Sequence, residues 1–254
     1  RMVYSPLDAL ELARKNPDRE IVFFALGFET TAPSTALTVL RAAREGIQNF
    51  SLLCQHILIV PTLRALLEQP DFAVDGFIGP GHVAMVTGTH PYEFVASTFH
   101  RPFVVAGFEP LDILQSLLMV LRQLEAGQAR VENQYARVVP PDGNPAALAA
   151  MRQVYETRPD TAWRGLGTIA FSGLQLRPTW AAFDAERRFA LTPHTVADPA
   201  SARCGDVLTG RIRPTACPAF GRDCTPDAPL GALMVSSEGA CAACYDYEGA
   251  RQVA

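Results

Sequence analysis

The sequence predicts an α/β fold in which parallel strands alternate with helices, followed by a small irregular module rich in cysteine. The first observation behind this prediction is that short apolar runs and amphipathic segments alternate strictly through the first half of the chain. The second is that the apolar runs are continuous, as expected for strands that helices cover on both faces. The third is a shift in composition to Cys, Pro, Gly and Asp from about residue 198.

Four apolar runs rich in β-forming residues are predicted to be parallel strands, at residues 20–28, 50–54, 75–79 and 102–108. Helices are predicted at residues 7–16, within 27–46, and at 61–69, 91–98 and 109–127. This order of elements is typical of a doubly wound, Rossmann-like parallel sheet. The apolar stripe of the last helix, at residues 111–124, is expected to lie in the core.

The alternation weakens after about Gly127, where a strand is a candidate at residues 132–139, a helix at 144–156 and extended chain at 164–176. We therefore predict three parts. They are a parallel α/β domain at residues 1–127, an extension that packs on it at 128–197, and a cysteine-rich module at 198–254. So short an irregular module has little core, so its ligand is expected to hold it together.

Charge and hydropathy exclude several classes of function. The net charge is -4 and the pI is near 5.8, without the basic cluster that nucleic-acid binding requires, so we expect no nucleic-acid partner. No apolar run approaches the roughly 20 residues that span a bilayer, and the N-terminus lacks the pattern of a secretory signal. We therefore expect no membrane association and a cytoplasmic protein, in which clustered cysteines indicate metal or redox chemistry.

The predicted active-site loops follow the strands, because ligands of open parallel sheets bind at the carboxyl ends of the strands. These loops are GFETT at residues 27–31, GPGHV at 79–83 and GFEP at 107–110. In the first loop, Glu29, Thr30 and Thr31 precede a helix, whose free N–H groups and dipole favour an anion or a polar ligand. The structural alternative is that Thr31 caps this helix and Glu29 complements its dipole.

His82, in the second loop, is a candidate donor of a hydrogen bond or a proton to a small ligand, because Gly79 and Gly81 allow close approach of the backbone. The alternative is a histidine that is hydrogen-bonded locally. Glu109 is a similar candidate, with helix capping as its alternative. The other histidines, His56, His90, His100 and His194, are predicted to have no special role.

Four of the six cysteines lie in one segment that is rich in Pro and Gly: Cys204, Cys217, Cys224 and Cys241 are separated by twelve, six and sixteen residues. Structural zinc sites usually take cysteines in close C-x2-4-C pairs, and this set contains none. Wide and uneven spacing suits a 4Fe-4S cluster, although zinc, disulfides and unrelated buried thiols remain alternatives. Cys244 follows at C-x-x-C spacing and is a fifth candidate ligand or a redox-active neighbour.

The segment CGDVLTGRIRPTACPAFGRDCTPDAPLGALMVSSEGACAACYDY closely resembles the C-terminal signature of the HypD family, the iron-sulfur scaffold proteins of nickel-iron hydrogenase maturation. Further blocks resemble that family in the same order: VYSPLDALELARKNPDREIVFFALGFETTAP, GPGHV, VVAGFEPLDILQ, VENQYARVV, WRGLG and FDAERRF. The resemblance covers essentially the whole chain.

The resemblance implies a cytoplasmic assembly factor with redox participation rather than a classical enzyme. It implies a 4Fe-4S cluster on Cys204, Cys217, Cys224 and Cys241, and electron transfer through that cluster. It also implies two partners, a small HypC-type chaperone and a HypE-type cyanide donor. On the complex with the chaperone, an iron acquires two cyanides and one carbon monoxide, giving an Fe(CN)2CO precursor for the hydrogenase.

The sequence departs from the family pattern in two places. The family's CGxHxH motif, whose cysteine is the expected ligand of the iron under construction, does not occur in these 254 residues, nor does its downstream cysteine pair. We therefore expect a fragment or a truncated gene product that lacks this iron ligand. Cys244 stands where family members usually carry an aromatic residue.

The competing hypothesis is an α/β domain with a zinc-stabilised interaction module and no redox role. A cluster-binding oxidoreductase with its own substrate is a third possibility. The absence of a G-x-G-x-x-G fingerprint weighs against that third class, because GFETT does not supply its glycines.

Overall fold

The structure is a computed structural model that describes residues 1–192, 199 and 201–248. It forms two compact units. Unit 1 comprises residues 1–63, 75–159 and 170–193, and unit 2 comprises residues 64–74, 160–169 and 194–254. The three parts that the sequence indicated stay a prediction, and the boundary at 197 and 198 lies outside the described residues.

The strands are β1 (Ile21–Gly27), β2 (Phe50–His56), β3 (Phe77–Pro80), β4 (Phe103–Ala106), β5 (Val131–Asn133), β6 (Tyr155–Trp163) and β7 (Gly167–Leu176). The α-helices are α1 (Pro6–Lys15), α2 (Ala32–Arg44), α3 (Ile59–Leu67), α4 (Gly81–Thr87), α5 (Glu93–Ser97), α6 (Pro110–Glu125), α7 (Pro145–Val154), α8 (Ala185–Arg188), α9 (Cys204–Leu208), α10 (Ala232–Val235) and α11 (Ala240–Tyr247). Short 3-10 helices span His90–Tyr92, Pro178–Phe183 and Pro214–Ala216. None of the helices in the described ranges is long and apolar enough to cross a lipid bilayer.

The predicted α/β class with parallel strands is confirmed. Strand β1 pairs in parallel with β2, with Ile21 opposite Phe50 and Gly27 opposite His56. Strands β3, β4 and β5 form a second parallel sheet, and β6 pairs with β7. The described parallel strands of unit 1 therefore belong to two sheets, where the sequence indicated one doubly wound sheet.

Local sequence signals position the first elements as predicted. Helix α1 begins with a capping box: the Ser5 hydroxyl accepts a hydrogen bond from the helix backbone, and the Asp8 carboxylate accepts one from the Ser5 backbone N–H. Pro6 occupies the first helical turn, where a missing N–H costs nothing. The main core of unit 1 packs α1, α2 and α7 against β1 and β2, with Leu10, Val39 and Leu52 fully buried. This core fixes the turn that connects β1 to α2.

Two segments differ from their predicted conformation. The strand expected at residues 132–139 ends at Asn133, because the Asn133 side chain donates to the Val139 carbonyl (2.9 Å) and closes a turn. The GPGHV segment is the end of β3 followed directly by α4, which begins at Gly81. Only glycine fits there, since an added Cβ would lie 2.1 Å from the Ala106 carbonyl oxygen.

The prediction that residues 111–124 form a core stripe is wrong. Helix α6 exposes most of its leucines, with Leu111 at 74% and Leu114 at 63% of full exposure. It buries four other residues, namely Asp112, Ser116, Val120 and Gln123. Hydrogen bonds explain this orientation, because the Gln123 amide donates to Glu132 (2.6 Å) and accepts from the Arg130 backbone N–H (2.7 Å).

The cysteine-rich part of unit 2 is made of short helices and turns. Helices α9, α10 and α11 have five, four and eight residues. The small core between them is built partly from thiols, with Cys224 and Cys241 buried beside Ala219, Met234 and Ala242. So small a core leaves the cysteines themselves at the centre of this segment.

Candidate functional site

The GFETT turn after β1 is tightly constrained. Gly27 has φ of +122°, and a Cβ there would lie 2.4 Å from the Thr31 hydroxyl oxygen, so the position favours glycine. Thr31 occupies the N-cap of α2, but its hydroxyl lies 3.2 Å from the Leu26 and Phe28 carbonyl oxygens and makes no cap bond. Thr30 is exposed at the surface of this turn. The capping role considered for Thr31 is therefore wrong for its side chain.

Glu29 lies inside the protein, with only 4% of its surface exposed. Its carboxylate accepts from the backbone N–H of Ile59, the first residue of α3, at 3.1 Å. The Glu29 carboxylate is therefore hydrogen-bonded to the first residue of α3, rather than to the N-terminus of α2. Burial raises the pKa of Glu29 from 4.5 to about 6, partly offset by its backbone hydrogen bonds.

His56, predicted to have no special role, belongs to a buried hydrogen-bond chain behind the GFETT turn. Its Nδ1 lies 3.2 Å from the Gly27 carbonyl oxygen, and its Nε2 lies 2.7 Å from the Thr35 hydroxyl oxygen. The Tyr155 hydroxyl lies 2.7 Å from the same Thr35 oxygen. No pattern in the sequence indicates these hydrogen bonds, because Thr35 and Tyr155 are 120 positions apart.

The protonation state in this chain follows from its partners. A carbonyl only accepts, so Nδ1 of His56 carries the hydrogen, and burial lowers the pKa of His56, which favours the neutral ring. Nε2 can then only accept, so the Thr35 hydroxyl shares its hydrogen between Nε2 and the Ala32 carbonyl oxygen (2.9 Å), and it accepts from Tyr155. Because Gly27 also accepts from the Ile57 backbone N–H (3.0 Å), the end of β2 holds the GFETT turn through two donors.

The loops after β3 and β4 meet at a pair of rings. His82 is exposed and stacks on Phe108, with ring centroids 4.3 Å apart and planes 20° apart. The Tyr135 ring lies further away, at 6.3 Å. The structure thus brings together His82 and the GFEP loop, whereas the described contacts of Glu29 and Thr31 are with other residues. An exposed imidazole braced by an aromatic face can offer a hydrogen bond to a ligand.

A polar cluster that the sequence reading missed supports the GFEP loop. The Arg137 guanidinium donates to both carboxylate oxygens of Asp112 (2.9 and 2.6 Å) and to Glu109 (3.0 Å). Gln134 donates to Asp112 (2.7 Å) and accepts from the Gly107 backbone N–H (3.1 Å). The Arg137 bonds hold the pKa of Asp112 well below its usual range.

Glu109 in this cluster stands at the N-cap of α6, but its side chain makes no cap hydrogen bond. The capping alternative considered for it is therefore wrong for its side chain, which pairs with Arg137 instead. All of its members lie in the VENQYARVV and GFEPLD blocks, but nothing in either block indicates which side chains pair.

In unit 2, the four predicted cysteines line a single cavity. The residues around it are Ala202, Arg203, Cys204, Val207, Cys217, Ala219, Phe220, Cys224, Gly231, Met234 and Cys241. Cys204, Cys224 and Cys241 are buried and Cys217 is half-buried, and all are free thiols. Segments far apart in sequence therefore bring the four cysteines to the lining of one cavity, and the shared ligand that their spacing indicates stays a prediction.

The walls of the cavity suit thiolate ligands. Apolar side chains such as Phe220 and Met234 exclude water, and the Leu230 backbone N–H donates to the Cys224 sulfur at 3.4 Å. Burial, followed by the neighbouring Cys204, Cys217, Cys224 and Cys244, raises the pKa of Cys241 to about 12. Crowded thiolates of this kind are stabilised by bound cations, and four of them are the donor set of cubane iron-sulfur clusters.

Other candidate ligands lie apart from this cavity lining. Cys244 is half-buried on α11, and its thiol donates to Glu248 at 3.3 Å. Cys54 is buried in unit 1, where its thiol donates to the Leu174 carbonyl at 3.4 Å. Within the described ranges, no three His, Cys, Asp or Glu side chains are arranged to hold a single metal ion. His194 lies outside the described residues.

These features define a class: an α/β protein with a constrained turn and a ring pair in one unit, and a cavity lined by four cysteines in the other. Comparison with known proteins identifies the family. The model of the HypD family, described as the hydrogenase formation hypA family, matches residues 1–248. The chain belongs to the HypD family, as its motifs predicted.

Curated relatives are similar to this protein over nearly the whole chain. It is 60% identical over 255 residues to the hydrogenase maturation factor HypD of Rhodobacter capsulatus, covering 99% of this chain and 68% of that protein. It is 56% identical over 247 residues to the factor of the same name in Escherichia coli (strain K12), covering 97% and 66%. It is 50% identical over 259 residues to the hydrogenase expression/formation protein HupD of Azotobacter chroococcum mcd 1, covering 100% and 68%.

The chain thus spans about two thirds of the length of these relatives. Its family is one of hydrogenase maturation.

Proposed function

We propose that this chain serves nickel-iron hydrogenase maturation as an assembly scaffold, and that Cys204, Cys217, Cys224 and Cys241 hold a 4Fe-4S cluster. The observation that carries the proposal is that all four thiols line one cavity. Membership of a family that includes proteins named hydrogenase maturation factor HypD supports the biological role.

The residues of the cavity fit such a group. A Cβ on Gly231 would lie 2.2 Å from the Cys204 sulfur, so glycine leaves this sulfur accessible from the cavity. Val207, Ala219 and Met234 keep water away from the thiolates, and Leu230 donates a hydrogen bond to one of them. When bound, the cluster supplies one-electron transfer at a potential that these neighbours set.

The proposed cargo is an iron that receives two cyanides and one carbon monoxide, in complex with a small HypC-type chaperone and with a HypE-type cyanide donor. We infer a cytoplasmic location for this assembly. In this assembly, the proposed role of the residues described above is to supply electrons and polar groups.

Within unit 1, we propose that Glu29, Thr30, Thr31 and His82 form the loops that meet the cargo or its partners. The exposed His82 imidazole can donate a hydrogen bond to a cyanide or carbon monoxide ligand, while Phe108 fixes its orientation. Thr30 is exposed at this turn, while the Thr31 hydroxyl donates to carbonyls of the turn and holds its shape. Glu29 acts differently, since its buried carboxylate holds the start of α3.

The decisive experiment is the iron, zinc and acid-labile sulfide content of the protein purified without oxygen, with visible spectra before and after dithionite. About four irons and four sulfides per chain, with visible absorption that bleaches on reduction, are expected for the cluster. One zinc and no sulfide would overturn the cluster and favour the zinc-stabilised interaction module.

Substitutions assign the ligands. The Cys217→Ala/Cys224→Ala variant should lose most of its iron and sulfide, because two of the four thiolates are gone. Cys244→Ser is the matched control, since Cys244 lies on α11 beside Cys241 but not in the cavity lining, and it should keep both. Full occupancy in the double variant would refute the ligand assignment.

A further inference from the structure

Two consecutive residues of unit 2 contact the sulfurs of two different cysteines. The backbone N–H of Leu230 donates to the Cys224 sulfur at 3.4 Å. The next residue, Gly231, lies against Cys204, because an added Cβ would be 2.2 Å from that sulfur. The Leu230-Gly231 segment therefore supplies a hydrogen bond to one thiol and leaves room for another.

The need for glycine at position 231 comes from this sulfur and not from the backbone. Gly231 has φ of -111° and ψ of 153°, an extended conformation that any residue adopts. Carbon and sulfur in van der Waals contact stand roughly 3.5–4 Å apart, so an alanine Cβ would displace the Cys204 sulfur. Cys204 has little freedom to retreat, because a Cβ on Gly165 would lie 2.8 Å from its Cβ.

The turn between β6 and β7 holds this arrangement from a second side. Arg164 in that turn donates from its guanidinium to the Leu230 carbonyl oxygen at 3.3 Å. This carbonyl belongs to the peptide group that joins Leu230 to Gly231. The same turn carries Gly165, which packs against Cys204. One turn thus positions both residue 230 and the cysteine that residue 231 faces.

We propose that the Leu230-Gly231 segment, with Arg164 as its positioning residue, sets the retention and the reduction potential of the metal group on the four cysteines. The inference rests on the proposed cluster. An N–H that donates to a ligand sulfur stabilises the added negative charge of the reduced form, and therefore raises the potential. Gly231 allows the Cys204 sulfur to reach the metal group.

The potential tests Arg164. Anaerobic redox titrations should give a more negative midpoint potential for Arg164→Gln than for the parent protein, at equal iron and sulfide content. Arg222→Gln is the matched control, since it also removes one exposed positive charge from unit 2. Arg164→Lys, which keeps a donor, should recover part of the shift. Equal shifts in Arg164→Gln and Arg222→Gln would overturn the positioning role.

Retention tests Gly231. Gly231→Ala should lose most of its iron and sulfide, because the new methyl group occupies the place of the Cys204 sulfur. Gly221→Ala is the control: it strains a backbone with φ of +68° in the same unit, but its nearest neighbour is a Tyr245 ring carbon at 3.8 Å. Full iron content in Gly231→Ala would contradict the inference.

The two levels of failure are distinguishable. A parent protein with zinc and no sulfide refutes the proposed cluster. If the parent holds the cluster, but Arg164→Gln leaves its midpoint potential unchanged and Gly231→Ala leaves its iron and sulfide content unchanged, only the inference is refuted. If Arg164→Gln loses its metal while Arg222→Gln keeps it, the anchoring role is supported through retention.

Discussion

The GFETT turn and the cysteine cavity both bury polar groups, but they satisfy them differently. In unit 1, Tyr155, Thr35 and His56 donate in sequence, and the last donor ends on the Gly27 carbonyl. In unit 2, the described bonds of the cavity sulfurs are those of Cys224 with Leu230 and of Cys217 with Ser201. The hydrogen-bond chain behind the GFETT turn finds its partners within the protein, while the thiols of unit 2 are the proposed ligands of a metal group.

The largest expected effect separates the two units by metal dependence. In the Cys217→Ala/Cys224→Ala variant, amide hydrogen exchange should rise strongly in α9 and α11, because metal binding contributes directly to the folding of so small a core. Amide hydrogen exchange in α2 and β2 should be the same as in the parent protein, because many buried apolar side chains hold their core together. If the amides of α11 exchange no faster in the variant than in the parent protein, the fold of unit 2 does not depend on metal more than that of unit 1.

The second prediction breaks the hydrogen-bond chain of unit 1. Thr35→Val keeps the shape but leaves Nε2 of His56 and the Tyr155 hydroxyl without partners, which should lower the free energy of unfolding by about 2–4 kcal/mol. Tyr155→Phe leaves the Thr35 bond to His56 intact and should cost about 1 kcal/mol. Urea titrations, in which amide hydrogen exchange in α2 monitors unfolding, measure both changes in the free energy of unfolding.

Thr38→Val is the control for this series. Thr38 is fully buried on the same helix, and its hydroxyl donates to the Ser34 carbonyl within α2 (2.8 Å). Its loss should cost less than that of Thr35, because such local bonds contribute little to helix stability. If Thr35→Val and Thr38→Val are equally destabilised, the hydrogen bonds from Thr35 to His56 and Tyr155 contribute no more to stability than a local bond within the helix.

The third prediction uses pH. Because burial raises the pKa of Glu29 from 4.5 to about 6, the folded protein binds this proton more tightly than the unfolded chain. The stability from this group is therefore full at low pH and is lost as pH rises through about 6. Glu29→Gln keeps an oxygen for the Ile59 N–H and removes the titration. Relative to this variant, the parent should lose about 2 kcal/mol between about pH 4 and about pH 7.5.

Parallel stability profiles of parent and Glu29→Gln over that range would show that Glu29 titrates normally. The comparison isolates one carboxyl, because all other acidic groups are common to both proteins.

Local signals in the sequence were sufficient for much of the fold. Helix α1 matches the helix predicted at residues 7–16, β1 matches the apolar run of residues 20–28, and the four clustered thiols line one cavity. His56 and Arg137 could not be found in this way. Their roles depend on Thr35, Tyr155 and Asp112, which only the folded chain brings near, and a polar side chain carries no mark of a distant partner.

Helix α6 shows the same limit for packing. Apolar residues occupy so many of its positions that periodicity favours burying the leucines. The buried line through Asp112, Ser116 and Gln123 is stable because Arg137, Gln134 and Glu132 satisfy two of these residues from later segments. The fold thus selects the face with complementary polar partners over the face with the larger apolar surface.

The smallest expected effect tests this orientation. Leu114→Gln and Leu118→Gln replace exposed side chains and should each change the free energy of unfolding by no more than about 0.5 kcal/mol. Val120→Ala, on the buried line of the same helix, should cost about 1–2 kcal/mol, because it removes packed methyl groups. A larger loss from the glutamine variants than from Val120→Ala would mean that the leucines face the core. That result would restore the orientation expected from periodicity and would place the polar line of α6 in solvent.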